Sequence, residues 1–158
     1  MPKITPFLWF DDKAEEAAKF YCSVFPNSKI ITTTRYGEAG PGPKGSVMTV
    51  EFELDGQRVV GLNGGPHFHF SEAFSFTIEC KTQAEVDGYW DKLVAGGGEH
   101  SQCGWLKDRF GFSWQVVPKV LLEMIADPDP KKAQRTMAAM MKMRKLEIAP
   151  LEQAYAGK

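Results

Sequence analysis

Two stretches of this chain repeat one layout seventy residues apart. The first opens with an apolar run, Ile4 to Phe10, followed by Asp12 with Glu15 three residues on. That pair is a capping-box pattern, in which one side chain caps the first helical turn and the other reaches back. Ala14, Ala17, Ala18, Tyr21, Val24 and Phe25 then recur at helical spacing until Pro26 stops the helix. The second stretch runs Phe74 to Cys80, then Thr82 with Glu85, then the stripe Val86, Tyr89, Trp90, Leu93 and Val94, closed by Gly96-Gly97-Gly98. Asp12 and Thr82, Glu15 and Glu85, Phe20 and Trp90, Val24 and Val94 are each seventy apart. Four matches in one register argue for a duplicated strand–helix unit.

Three further strands follow each helix. After the first come Lys29–Tyr36, Ser46–Leu54 and Gln57–Asn63, the last two joined by the hairpin signal Asp55-Gly56. Gly37 to Pro43 between the first two reads as a loop without regular structure. After the second helix come Glu99–Cys103, Trp105–Asp108 and Phe112–Pro118. The expected fold is α+β: two β-α-β-β-β modules, residues 1–66 and 67–118, then a helical extension, 119–158. In that extension Val120–Ile125 reads as a short helix, and Asp127-Pro128-Asp129-Pro130 as a turn that starts another. Met137, Met140 and Met141 on the second helix read as packing, against the chain itself or a second copy.

Composition narrows the functional classes. A chain of 158 residues with 43% hydrophobic and 25% charged residues suits a folded protein of one domain or two small halves. A net charge of -1 gives no electrostatic footprint for nucleic acid or acidic membranes. No apolar run reaches membrane-spanning length, and Met1–Thr5 lacks the apolar core of a signal peptide. Cys22, Cys80 and Cys103 are scattered and odd in number, so free thiols in a reducing cytoplasm are expected.

Four local motifs stand out: Ile4 to Asp11, Phe20-Tyr21 with Val24-Phe25-Pro26, Leu62 to Pro66, and Cys103 to Gly111. Together they resemble the PhnB-like branch of the glyoxalase, or vicinal-oxygen-chelate, superfamily. The resemblance covers essentially the whole chain. It implies cupped mixed sheets of the glyoxalase and dihydroxybiphenyl-dioxygenase type, but no single reaction, since the superfamily hosts many chemistries and some pure binders. Some branch members carry a methyltransferase label. The glycines here do not sit between a strand and the helix it feeds, where a Rossmann-type methyltransferase needs them, and no room remains for that fold.

The superfamily's metal enzymes draw one ligand from the first and one from the last strand of each module. On this sequence those positions fall at Pro6 (or Thr5), near Gly61, at Ala73 and at Gln115, which supply one neutral amide between them. The expectation is no metal and no cofactor there. His67 and His69, two apart in the joining segment, are the remaining ligand candidates, but two histidines fall short of the usual three or four protein ligands. Cys103 has no basic residue at a motif spacing and reads as an inert thiol. Asp108 and Arg109 could orient an anion, although Asp in a turn more often bonds its own backbone.

A polar Gln115 inside an apolar strand points to a pocket, and Asn63 shares the inward face of its strand if the alternation holds. With Phe7, Trp9, Trp105 and Trp114 as aromatic walls and His67 and His69 at the rim, these residues form the candidate site. The same aromatics also suit a plain core. Three functions follow: binding of a small aromatic or apolar molecule, with or without a reaction; a metal-dependent lyase, isomerase or dioxygenase using His67 and His69; or sequestration of a drug. A homodimer is expected, because cupped sheets leave edges exposed.

Overall fold

The computed structural model describes residues 3–158; Met1 and Pro2, where the first module and the N-terminal stretch begin, lie outside the described residues. The chain divides into a first unit ending at Phe70 and a second unit, Ser71–Lys158. Residues 67–70 therefore go with the first unit, and the C-terminal helices with the second.

The first unit runs β1 (Phe7–Phe10), α1 (Ala14–Val24), β2 (Lys29–Arg35), β3 (Val47–Leu54) and β4 (Gln57–Asn63). Its sheet has the order β1-β4-β3-β2, with β1 parallel to β4 and the other pairs antiparallel. Leu8, Gly61 and Val50 share one row of the sheet, so they point to one side. A Cβ on Gly61 would stand 3.3 Å from Ala14 Cβ, which identifies that side as the one α1 covers. Ala14, Ala17, Ala18 and Tyr21 bury the helix against Val50, Phe52 and Val59, each fully enclosed. Small residues on the helix and a glycine beneath it allow that close approach. The β3–β4 hairpin turns on Asp55 (φ 46°) and Gly56 (φ 89°), both left-handed as a two-residue hairpin of this type demands.

The first helix is not capped as the Asp12/Glu15 pattern suggests. Its cap position is Lys13, and no side chain of the local segment caps it. Asn63, from the end of β4, accepts a hydrogen bond from Ala14 N at 2.8 Å and donates its Nδ2 to Val47 O at 3.1 Å. A long-range amide thus serves both the helix terminus and a neighbouring strand. In the second unit the local box does form: Glu85 N donates to Thr82 Oγ1 at 3.2 Å, and Lys81 N donates to the Glu85 carboxylate at 2.8 Å.

The second unit repeats the layout: β5 (Ser75–Cys80), α2 (Gln83–Lys92), β6 (Glu99–His100), β7 (Trp105–Lys107) and β8 (Ser113–Pro118), in the order β5-β8-β7-β6. β6 is cut to two residues because Cys103 (φ 58°) and Gly104 (φ 83°) turn the chain sharply. A Cβ on Gly104 would meet Val116 O and Leu146 Cδ1, both at 2.8 Å. Three helices follow, α3 (Lys119–Ile125), α4 (Pro130–Met140) and α5 (Ile148–Ala156). Val117, Leu121, Met124, Leu146 and Leu151 form their core, with Met140 and Met143 packed on it; Met137 and Met141 stay exposed. Cys103 N and Gly104 N donate to Met143 O and Arg144 O, each at 2.8 Å. Gln83 accepts from Ile148 N at 2.7 Å and donates to Leu146 O at 3.1 Å.

Replacing Asn63 with Ala should destabilise the protein by about 1–3 kcal/mol in urea unfolding, since it removes a helix cap and a buried acceptor's partner together. Asp12→Ala should cost less than about 0.5 kcal/mol, as for a surface position that caps nothing. The reverse order would restore the local capping box.

Candidate functional site

The four aromatic residues expected to wall one pocket separate in the structure. Trp114 is 2% exposed and lies in the core, edge-on to Phe76 and Phe112 with ring centroids 5.5 and 5.4 Å away. It shares a row with Leu106 and His100, and the His100 ring stacks on Trp90 of α2 at 4.2 Å. Trp114 therefore faces the helix. This corrects its assignment to the same pocket as Gln115: neighbours in a strand point to opposite sides. Gln115, Trp105 and Thr77 share the next row, on the face that α2 leaves uncovered.

Asp108 holds this arrangement. Its carboxylate is 3% exposed and accepts from Phe110 N at 2.9 Å, Phe112 N at 3.1 Å and Trp114 Nε1 at 2.9 Å. Three donors on one buried carboxylate close the 108–112 turn and fix the indole beneath the sheet. Asp108 is thus committed to structure and has no free oxygen for a substrate.

Asn63 also moves off the expected pocket. It pairs in register with Phe10, 4% exposed, on the helix-facing side, which its bond to Ala14 confirms. Gly61 lies on that side too, so the superfamily ligand position assigned to it faces α1. Phe7 and Trp9 do lie on the first sheet's uncovered face, and Phe7 is 58% exposed. Trp9 braces the segment that follows β4: its Nε1 donates to Gly65 O at 2.9 Å and Phe68 packs edge-on at 4.9 Å. His67 and His69 are both exposed, His67 in a turn with Pro66, and no third ligand joins them among the described residues. His67 lines a cavity of about 440 Å³ with Asp11, Asp12, Tyr36 and Gly42. The Gly37–Pro43 loop folds onto the Tyr36 ring there, and a Cβ at Gly40 or Gly42 would come within 2.4 Å of it.

Among the described residues, no three His, Cys, Asp or Glu side chains are grouped to hold a metal ion. Pro6, Gly61 and Ala73 offer no side-chain metal ligand, and Gln115 offers a single neutral amide oxygen. The superfamily's metal does not fit these residues. Cys80 is fully buried, and desolvation, with Glu85 adding to it, pushes its thiol up to about 12, where it is inert. Cys103 is partly exposed, with Sγ 3.9 Å from Met141 Sδ.

The second unit holds a cavity of about 350 Å³ against β6 and β7, lined by Trp105, Lys107, Glu99, His100, Ser101, Leu106, Ser113 and Glu72. Ser113, Lys107 and Glu99 occupy one row of the uncovered face, beside the row of Gln115 and Trp105. Gln115 is therefore a neighbour of the cavity and not part of its lining. Lys107 Nζ is ion-paired with the exposed Glu72 carboxylate. Hydrogen bonding to Lys107 holds Glu72 below its ordinary value, and the same bond raises Lys107. The pairing of Glu72 is lost as pH falls through its lowered value, and that of Lys107 as pH rises through its raised value; between the two the pair stands. Composition and spacing pointed to Gln115 and Trp105 but missed Ser113 and Lys107, which alternate with buried residues and became visible once the strand's faces were assigned.

Two four-stranded mixed sheets with this strand order, each covered by its helix, define a glyoxalase-type fold. The chain belongs to the 3-demethylubiquinone-9 3-methyltransferase family, whose model matches residues 2–117. The PhnB protein from Bacillus cereus, provisionally described by that same family name, is 37% identical; the match covers 74% of this chain and 99% of that one, with a TM-score of 0.67. Protein PA1353 from Pseudomonas aeruginosa shares the fold at 19% identity, covering 75% of this chain and 98% of that one, TM-score 0.62. The fosfomycin resistance protein FosX from Listeria monocytogenes does so at 17%, covering 77% and 94%, TM-score 0.53. No curated protein matches the chain.

Proposed function

We propose that this PhnB-like protein binds a small molecule, with a flat aromatic or apolar part, against the uncovered face of the second sheet. The observation that carries the reading is the cavity itself, about 350 Å³, where Trp105 and Leu106 stand among the polar residues Glu72, Glu99, His100, Ser101, Lys107 and Ser113. A concave site where polar groups converge beside an aromatic side chain is a natural place for a small ligand. Methyl transfer with a Rossmann-bound cofactor is disfavoured: the strand-to-helix connections are Asp11-Asp12-Lys13 and Lys81-Thr82, without the glycines that let a backbone approach a nucleotide. The three cysteines are free thiols, which suits a reducing cytoplasm, and no described helix is long and apolar enough to cross a membrane.

A homodimer is part of the proposal. Ile4 and Phe7 in the first unit are 86% and 58% exposed, and Phe74 and Met141 in the second are 53% and 61% exposed. Large apolar side chains on uncovered faces are commonly hidden by a second copy. Light scattering should return twice the 17.6 kDa chain mass, and a 17.6 kDa particle would contradict it.

For the ligand site, titration of labelled protein with small aromatic fragments should shift the Trp105 indole and Gln115 amide resonances and leave the Trp114 indole unmoved. Shifts confined to the surroundings of His67 would place the site in the first unit instead.

A further inference from the structure

Ser113 Oγ is buried without a hydrogen-bond partner, alone in this among the described side-chain oxygens and nitrogens. The residue is 1% exposed and lines the second unit's cavity. A buried hydroxyl is costly when unpaired, and an alanine would pack there without that cost. Its row on the sheet holds Ser75 on one side and Lys107 on the other, with Glu99 beyond Lys107. Lys107 stands directly across from it on β7, both side chains on the uncovered face. Ser75, across on β5, already receives Gln115 Nε2. The acceptor that Lys107 uses comes from outside the sheet: Glu72, in the turn before β5, with a side chain 60% exposed.

We propose that the ligand of this cavity carries a carboxylate, which takes the place of Glu72 on Lys107 and gives its second oxygen to the Ser113 hydroxyl. The proposal rests on the small-molecule reading and specifies it. Glu72 is then a carboxylate on a tether, covering the donors until the ligand arrives. An exposed ion pair is cheap to break, while the ligand satisfies a hydroxyl that is otherwise unpaired. A carboxylate's two acceptor oxygens suit two donors side by side. Glu99 lies across from Lys107 on β6, in the same row. Once Glu72 swings away, Lys107 and Glu99 remain, one charge of each sign, so the site offers a single cation for a monoanion and no excess positive charge for a dianion such as phosphate. The apolar body of the ligand would lie along Trp105.

The test uses benzoate, benzyl alcohol and inorganic phosphate with the full chain and its E72A and S113A variants, read by resonance shifts of Trp105 and Gln115. Benzoate should bind the wild type, and about fivefold tighter to E72A, where the competing carboxylate is gone. Ser113→Ala should weaken benzoate by about fivefold or more while leaving the melting temperature unchanged or higher. Benzyl alcohol and phosphate should each bind at least about tenfold more weakly than benzoate. Benzyl alcohol binding as well as benzoate would overturn the carboxylate and leave the small-molecule reading standing. Unchanged benzoate affinity in S113A would remove the serine's role. No response to benzoate in either wild type or E72A would end the proposal, and silence toward every aromatic fragment would end the broader reading with it.

Discussion

The buried Asp108 carboxylate decides which way β8 faces. It gathers two backbone N–H groups of the turn and the Trp114 indole, and so ties the turn's closure to the burial of one side chain. Strand alternation then leaves no freedom: with Trp114 beneath the sheet, Ser113 and Gln115 must lie on top. Lys107 and Trp105 follow through their register with Ser113 and Gln115. The polar row beside an aromatic wall is thus a consequence of an interaction on the opposite face. A one-residue slip would place Trp114 in solvent and leave Asp108 buried with donors missing.

Much of the fold was legible because it depends on local patterns. The duplicated strand–helix layout, the Asp55-Gly56 hairpin and the Thr82/Glu85 box are legible in the sequence and the structure contains each, although the caps Lys13 and Thr82 and the buried Tyr21 and Trp90 set the two helices sixty-nine residues apart, not seventy. The first helix differs because its cap arrives from Asn63, forty-nine residues from Ala14. No local pattern can report that, and the intact Asp12/Glu15 spacing misleads. The same long-range role removes Asn63 from the pocket. A polar residue near the end of a strand suggests a ligand, yet here a helix terminus and the Val47 carbonyl had the prior claim.

The candidate site was partly legible for a related reason. Gln115 stood out as an amide among apolar residues, and it does lie on the uncovered face. Trp114 was grouped with it by residue type, whereas alternation separates them. Ser113 alternates with Phe112 and Trp114 just as Gln115 does, yet neither it nor Lys107 carries a site signal alone; their significance comes from cross-strand pairing and from the lack of a partner on Ser113 Oγ. The C-terminal helices complete the picture. They cover Val117 on the same face and anchor through Gln83 and the Cys103-Gly104 turn, so the far end of that face is closed while the end near Lys107 stays open.

The face assignment of β8 is the claim on which the site depends, and hydrogen exchange of the four tryptophan indoles measures it directly. The Trp114 indole N–H, buried and bonded to Asp108, should exchange only with global unfolding, giving a protection free energy equal to the protein's stability. The Trp105 indole on the uncovered face should exchange orders of magnitude faster. Fast exchange at Trp114 with protection at Trp105 would show the strand turned over, and would remove Ser113, Lys107 and Gln115 from any common site.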